Sequence, residues 1–514
     1  MTPFADWTFF GVLLLYAVLP VCVLGLLGKA SARRSFTVSL LVLGFVYSAQ
    51  SSAVLRISGI SLPGLGGPEL LQPWVSTPAS TQFAPFYVFL LSALWECLIC
   101  LAFVRWKSRA SFYAAMCLTL APLFASKLMP YFAVDNAFGF LGISYVTFRA
   151  LDVVFSTHDG VIKTLSPAQL FAFLFFFPAV SSGPIDRYRR FGQDWVKERT
   201  RAEFLDDLDF AIQRIMRGFL YKFVIAALID YYVETPLEKA AGFWATFAAM
   251  YSYTAYLFFD FAGYSAFAIG VSRLLGIRTP ENFNAPFAAR NIRDFWARWH
   301  QSLSFWLRDH VHMRFQLAAS KGKWFKGKTT AGTIGTFLTF GIMGVWHGLA
   351  LHYLVYGLYH AILVTGYDFF ARWNKRTKRI LDTPRNLWLS RIVTFHIVAF
   401  GMLIFSGRLI PPPPPAHEEK VETWSPSNVE GYVWRRDKPD GGLEVELYVD
   451  WRWALRVPVD VERPDLKERG YGNGKHGFKA DLTLWFRDGQ AHTVEVRVRG
   501  TNQPIGKWKK VSPQ

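Results

Sequence analysis

Apolar runs long enough to cross a bilayer alternate along this chain with short charged connections. Such runs occur at about 8–28, 36–54, 84–104, 110–133, 137–156, 167–183, 213–233, 241–270, 329–349, 351–371 and 391–410. A membrane core takes about 20 helical residues per crossing, so the pattern predicts an all-α polytopic membrane protein with about eleven transmembrane helices. The first run lies between Asp6 and the basic group Lys29, Arg33 and Arg34. It has no charged n-region and continues into further spans, so it reads as a span and not as a cleaved signal peptide. Its positive flank assigns residues 29–35 to the cytoplasm and the N-terminus to the outside. Arg105, Lys107 and Arg109, and later Arg372, Lys375, Arg376, Lys378 and Arg379, mark further cytoplasmic connections.

Two stretches break the alternation. Phe171 to Pro178 is apolar but leads into Ser181-Ser182-Gly183-Pro184-Ile185-Asp186-Arg187-Tyr188-Arg189-Arg190. Gly and Pro break a helix there, and a re-entrant segment accommodates both the break and the basic tail. Residues 290–316 are too charged to span. At helical spacing Trp296, Trp299, His300, Leu303 and Leu307 share one face, and Asp294, Arg298, Gln301 and Arg308 the other. That predicts an amphipathic helix at an interface or dipping into a cavity, or a surface anchor without chemistry.

Beyond Ile410 the period changes. Pro411 to Pro415 precede a region where Val445-Glu446-Leu447-Tyr448-Val449 and Thr493-Val494-Glu495-Val496-Arg497-Val498 alternate as strands do. Pro439-Asp440-Gly441-Gly442 and Arg487-Asp488-Gly489 are turn signals. The organisation expected is a transmembrane domain at 1–410, a Pro-rich linker at 411–420 and a small antiparallel β-domain at 421–514.

Composition sharpens this picture. Of 514 residues, 52% are hydrophobic and 18% charged, against about a quarter charged in ordinary soluble chains. Residues 416–514 carry 17 basic and 16 acidic side chains; the other 415 residues carry 39 and 22. The basic excess thus lies in the apolar part, which argues for cytoplasmic loops and not for a nucleic-acid groove. Cys97 and Cys100 form a C-x-x-C inside an apolar run, with no second pair nearby. No metal site is expected, and the four cysteines read as buried thiols.

Three ionisable residues stand out within apolar surroundings: His300, His347 in Gly344-Val345-Trp346-His347-Gly348, and Asp260 in Phe259-Asp260-Phe261. Such residues are costly at membrane depth and face a cavity or a partner. Imidazole suits general acid–base work near neutral pH; the plain alternative is a core histidine satisfied by a backbone carbonyl. Asp260 reads equally as a catalytic group and as the partner of an arginine from 287–308. His352, His360 and His396 lack flanking signals and are left in the core. There is no P-loop, G-x-S-x-G or H-E-x-x-H, which argues against coupling to ATP.

Arg293 to Trp306, together with Trp346-His347-Gly348, resembles the membrane-bound O-acyltransferase (MBOAT) family. Gly142-Ile143-Ser144-Tyr145 with Thr147-Phe148-Arg149, Phe177-Pro178 with Ser182-Gly183-Pro184-Ile185-Asp186-Arg187-Tyr188, and Asp260-Phe261-Ala262-Gly263-Tyr264 are similar to its DltB-like, D-alanyl-transferring branch. The Ser-Gly-Pro-Ile-Asp-Arg stretch favours that branch over alginate and cellulose acetylation. The likeness covers about residues 10–410.

The resemblance implies an MBOAT fold, a ring of tilted helices around a tunnel, with a bacterial inner-membrane location. It implies that His347 is the catalytic histidine and His300 the second active-site residue. Asp260, Trp296, Trp299, Ser304, Trp346 and Arg187 would line the tunnel, contact substrate or support it. No covalent cofactor is implied. A cytoplasmic D-alanyl carrier protein would present an acyl thioester on phosphopantetheine, and the acceptor would be a hydroxyl of an envelope polymer or lipid-linked molecule outside, with a DltD-like partner there. O-acetylation of an exported polysaccharide is the alternative enzyme; a proton-coupled transporter is the alternative class, though no second copy of the His300 or His347 segment occurs. The family does not account for the C-terminal β-domain, which is similar to small β-modules of bacterial envelope proteins. It is expected outside the cytoplasm, with His476 shaping a turn.

Overall fold

A computed structural model describes residues 18–36, 84–128, 142–238, 240, 242–380, 383–409, 417–435, 439–499, 505, 506 and 508–512. The chain divides into two units, Met1–Pro411 and Pro412–Gln514.

The first unit is helical. Its longer helices are Ala84–Arg105, Arg109–Leu128, Ile143–His158, Arg201–Phe219, Phe243–Leu274, Lys328–His347, Leu351–Thr377 and Pro384–Phe405. Among the described residues, Arg109–Leu128, Phe243–Leu274 and Pro384–Phe405 are long and apolar enough to cross a bilayer by length and composition. The count of about eleven expected from the 20-residue rule is not reached on those criteria. Ile143–His158 has 16 residues and buries Arg149 and Asp152. The run at 167–183 gives an eight-residue helix, Pro167–Leu174, and then a single tight turn at Phe177–Ala179. The run at 36–54 lies outside the described residues apart from Phe36.

Close backbone approach explains how these helices pack. Arg201–Phe219 starts at a capping box in which Thr200 and Glu203 satisfy each other's backbone N–H groups. It lies against Phe243–Leu274 where glycines face backbone: a Cβ on Gly218 would sit 2.9 Å from the Gly263 carbonyl oxygen, and one on Gly270 3.0 Å from that of Ala211. Small residues permit such approach between apolar helices. Lys328–His347 and Leu351–Thr377 form an antiparallel hairpin packed in the same way, with Gly344 against Tyr353 and Gly357 against Phe340.

The amphipathic helix expected over 290–316 is broken. Ile292–Trp296 is a short helix capped by the Asn291 side chain, which accepts from Asp294 N–H. The chain then turns, with His300 left-handed at φ 45°, and resumes as Gln301–Leu307, a wider π turn Arg308–His312, and Met313–Lys321. The reason lies in residues 282–284. Asn284 N–H donates to the Arg298 carbonyl and Gln301 N–H to the Asn282 carbonyl, so backbone groups needed for a continuous helix pair elsewhere. Trp299, His300, Leu303 and Leu307 are buried, so this is core and not a surface anchor.

Among its described residues the second unit holds eight strands: β1 His417–Ser425, β2 Asn428–Arg435, β3 Leu443–Val449, β4 Arg452–Val459, β5 Val461–Glu462, β6 Lys475–Ala480, β7 His492–Val498 and β8 Lys509–Val511. They form two antiparallel four-stranded sheets, ordered β1-β2-β6-β5 and β4-β3-β7-β8. Alternate residues of β3 are buried, and Val445, Leu447, Val494, Val496 and Phe478 meet in one core. Each such burial stabilises by roughly 1.5–3 kcal/mol. β1 begins at His417, inside the stretch expected as linker, while Pro411 to Pro415 lie outside the described residues. His476 is fully buried within β6, with its ring against the backbone of Pro439 and Tyr471 in the neighbouring turns.

Candidate active site

His347 is the last residue of its helix; Gly348 follows in an extended conformation and ends it. The close hairpin places the imidazole among rings. Its centroid lies 4.6 Å from Trp346 and 4.9 Å, edge-on, from Phe405, and it stacks on Tyr353 at 6.0 Å. The ring borders a cavity of about 210 Å³ lined by Trp346, Lys127, Gly142, Ile143, Ser144, Tyr145 and Ser181 as well. Segments far apart in the chain thus converge on one histidine: the start of Ile143–His158, the turn after Phe177, and the hairpin.

Two buried groups hold the cavity wall. Arg149 donates to the carbonyls of Phe173 and Leu174, each at 3.2 Å, and to Ala179 at 2.7 Å. These carbonyls come free where Pro167–Leu174 ends and the tight turn begins, and an irregular backbone in apolar surroundings needs such donors. Ser181 and Tyr264 share a hydroxyl–hydroxyl hydrogen bond, which ties the cavity to Phe243–Leu274.

His300 is buried, within electrostatic reach of His347, and edge-on to Phe261 at 4.7 Å. Its Nδ1 has no hydrogen-bond partner among the described residues. The left-handed backbone is held by a buried polar node. Ser302 Oγ donates to Asn282 Oδ1 at 2.6 Å and accepts from Ile185 N–H at 3.0 Å, and Asn282 Nδ2 donates to Ser265 Oγ at 3.0 Å. A non-glycine residue at positive φ is strained, and such strain persists where surrounding contacts over-determine it.

The remaining sequence candidates divide. Trp346 lines the cavity, and its indole N–H has no partner among the described residues. Trp296 donates to His360 Nδ1 at 3.3 Å, and Trp299 stacks on Phe295 at 5.6 Å in a separate aromatic core. Ser304 donates to the Trp299 carbonyl at 3.2 Å. Asp260 pairs with Lys222, not with an arginine from 287–308; Lys222 follows Arg201–Phe219 on the neighbouring helical segment. Arg187 joins Asp152 at 2.9 Å and Asp309 at 3.0 Å, with His310 against the same carboxylate of Asp152. None of these five lines the cavity that His347 borders.

Sequence reasoning did not single out Lys127, Ser144, Tyr145 and Ser181 as lining residues. Ser144 and Tyr145 stand in a stretch similar to the family, Ser181 opens the helix-breaking stretch, and Lys127 is the one basic residue within the apolar run 110–133. No group of His, Cys, Asp and Glu suited to a metal ion occurs among the described residues.

A histidine bordering a cavity, with a buried second histidine within electrostatic reach and an indole N–H in the wall that has no partner among the described residues, has the parts for proton abstraction from a hydroxyl and for hydrogen bonding to a developing oxyanion. The family model for MBOAT, membrane-bound O-acyltransferase family, matches residues 81–405, and the chain belongs to that family. It is an acyltransferase of the membrane. Over 425 residues it is 40% identical to the teichoic acid D-alanyltransferase of Bacillus subtilis (strain 168), covering 79% of this chain and 98% of that one. The enzyme of the same name from Streptococcus thermophilus is 37% identical over 349 residues, 64% of this chain and 84% of that one. The probable alginate O-acetylase AlgI of Pseudomonas aeruginosa is 32% identical over 271 residues, 52% of this chain and 48% of that one.

Proposed function

We propose that the protein transfers a D-alanyl group from a carrier-protein thioester to a hydroxyl of a cell-envelope polymer or its lipid-linked precursor. The supporting observation is the extent of likeness: D-alanyltransferases match over 98% and 84% of their lengths, the alginate O-acetylase over 48%. The acyl donor is a thioester on the phosphopantetheine of an acidic carrier docked at the cytoplasmic face. The basic excess of the membrane part favours that encounter electrostatically.

In this reading His347 takes the proton of the acceptor hydroxyl as its oxygen attacks the thioester carbonyl. The carbon–sulfur bond breaks, and the thiolate leaves and recovers the proton. His300 hydrogen-bonds the acceptor or the oxyanion, and the Trp346 N–H is a further donor. No enzyme nucleophile is required. The enzyme sits in a bacterial cytoplasmic membrane, with the β-unit on the outer side and a DltD-like partner handing on the acceptor there.

Mass spectrometry of envelope polymers from strains with and without the gene tests the reading. D-alanyl esters that vanish with the gene support it. O-acetyl esters that vanish instead, or full activity of purified membranes with free acyl-coenzyme A and no carrier, replace it with polysaccharide acetylation.

A further inference from the structure

In the β-unit, the sheet β4-β3-β7-β8 has one face that packs and one that does not. Val445, Leu447 and Val449 of β3 and Val494, Val496 and Val498 of β7 are buried in the sandwich core. The residues between them point to the other face: Glu444, Glu446 and Tyr448 on β3, and Thr493, Glu495 and Arg497 on β7. Trp453 of β4 pairs with Tyr448, and Tyr448 with Glu495, so all three share that outer face. Trp508 comes just before β8, whose Lys509 and Lys510 pair with Val494 and Thr493; the same register sets Trp508 beside Glu495. Indoles thus stand at both ends of one row across four strands, roughly 14 Å apart at about 4.8 Å per strand.

A third indole joins them against backbone preference. Two residues connect β3 to β4, Asp450 and Trp451, at φ 44° and 68°. Such a turn needs positive φ at both positions and usually takes Asn-Gly or Asp-Gly. Tryptophan at the second position is strained. The turn is held by Asp450, whose carboxylate accepts from Thr493 N–H and whose own N–H donates to the Thr493 carbonyl, each at 2.8 Å. This brings the Trp451 ring to 6.3 Å from that of Trp508, at 74°. Trp451 and Trp453 remain 52% and 54% exposed. Exposed apolar residues scattered singly need no explanation. Three indoles gathered on one face, one of them in a strained turn, mark a binding surface.

The polar groups beside the rings say what binds. Arg456 donates to Glu446 at 2.7 Å and Arg499 to Glu444 at 2.5 Å, and Arg497 pairs with Glu495 while its guanidinium lies 4.6 Å from the centre of the Tyr448 ring. Three guanidiniums and three carboxylates cancel, with Lys510 at the rim. The middle of the face therefore offers hydrogen-bond donors and acceptors without net charge. A polyanion or an anionic lipid surface would meet as many negative groups there as positive ones. A pyranose ring fits better. Its hydroxyls match the paired polar groups, and the electropositive C–H groups on its flat side meet the negative faces of the indoles. We propose that this outer face is a glycan-binding site, on which Trp451, Trp453 and Trp508 stack the rings of a neutral pyranose chain. The site holds the glycan without acylating it, so it does not depend on the acyl-transfer reading above.

Fluorescence anisotropy with full-length protein in nanodiscs tests this. The probes are end-labelled β-1,4-linked hexamers of glucose and of N-acetylglucosamine, with unlabelled polyglycerol as an acyclic competitor. The wild type is expected to bind at least one hexamer saturably, with little dependence on salt and no displacement by polyglycerol. Trp453→Ala and Trp508→Ala should each weaken binding by about tenfold, the scale of losing a tryptophan that anchors an interface. Trp453→Phe should keep most of the affinity. Trp451→Gly is the sharper variant, because glycine suits the turn. It is expected to weaken binding by about tenfold without speeding amide exchange over β3 and β4. It decides alone if an alanine variant does not fold. Failure of both hexamers to bind at millimolar concentration, displacement by polyglycerol, or wild-type affinity in Trp451→Gly overturns the proposal. So does quenching by brominated lipid that is lost when all three indoles are replaced, which would put this face at the bilayer surface.

Discussion

At the residue scale, polar groups in the helical unit differ in whether they have partners. Asp152 and Asp260 are paired internally and both terminal nitrogens of Arg149 donate to carbonyls, whereas His300 Nδ1 and the Trp346 N–H have no partner among the described residues. Groups left unpaired beside a cavity await substrate; paired ones hold the frame. His347→Ala is therefore expected to lower transfer by about 10²–10⁴-fold with normal membrane insertion, and His300→Ala by less. Quantifying polymer esters against the amount of inserted protein checks both. By contrast, Arg149→Met strands the carbonyls of Phe173, Leu174 and Ala179. It is expected to destabilise the whole unit by roughly 3 kcal/mol or more, seen as a lower unfolding temperature in detergent. The two histidines were legible in sequence because an ionisable residue in an apolar run is conspicuous. Ser181 and Tyr145 were not, because a hydroxyl in such a run is ordinary and becomes informative only once folding brings it to a cavity.

At the scale of elements, two glycine contacts set the position of His347. A Cβ on Gly357 would meet the Phe340 carbonyl oxygen at 2.4 Å, whereas Gly366, nine residues on in the same helix, has nothing within 4 Å. Both substitutions to Ala raise helix propensity by up to about 1 kcal/mol. Gly366→Ala is thus expected to leave activity intact or stabilise slightly. Gly357→Ala should spread the hairpin, shift the imidazole and cut the rate by about 10²-fold, the cost of a 1 Å misplacement. Rates per folded molecule for the two variants separate packing from propensity. Periodicity located this hairpin well, since each arm is one long apolar run. It failed over 290–316, where the apolar stripe is real but the backbone pairs with residues 282–284. A pattern of side chains carries no record of where the backbone bonds go. In the β-unit, alternation marked β3 and β7 because one face of each is buried.

One junction of that unit has a pH dependence with a definite sign. His492 is placed between Asp450, 2.6 Å from Nδ1, and Asp488, 2.9 Å from Nε2. Only the imidazolium donates from both nitrogens. The hydrogen bond to Asp450, then that to Asp488, raises the histidine above its ordinary 6.5. The hydrogen bond from His492 lowers both carboxyls below the usual 3.8. The histidine's contribution is therefore full below 6.5 and lost as pH rises through its raised value. That of the carboxylates is present above 3.8 and lost as pH falls through their lowered values. The cluster is firmest between these limits. Amide exchange over 488–496 in the full-length protein, corrected for intrinsic rates, is expected to speed up from pH 6 to pH 8.5. His492→Gln should abolish that change, and an unchanged profile in the wild type would show that the triad does not hold the strand.

On the scale of the whole molecule, the distribution of charge and the last helix together predict a side of the membrane for the β-unit. Its sheets lie beyond residue 405, where the family match stops. Arg372, Lys375, Arg376, Lys378 and Arg379 cluster just before Pro384–Phe405, which assigns that connection to the cytoplasm. The helix itself is long and apolar enough to cross, so the chain after it is expected on the opposite face. Composition agrees: residues 416–514 are nearly balanced in charge, unlike the basic remainder, and contain no cysteine that an oxidising compartment would modify. Lys509 and Lys510 form a basic end that weighs the other way, but long domains translocate largely regardless of such charges. The outer side is thus the expected one, and there the unit would share a compartment with the acceptor of the proposed reaction and not with its carrier. Removing residues 417–514 is then expected to affect use of polymeric acceptor more than use of a short soluble probe. Alkaline phosphatase fused after Gln514 should be active in intact cells, and a reporter fluorescent only in the cytoplasm should stay dark. The reverse pair of outcomes places the unit with the carrier instead.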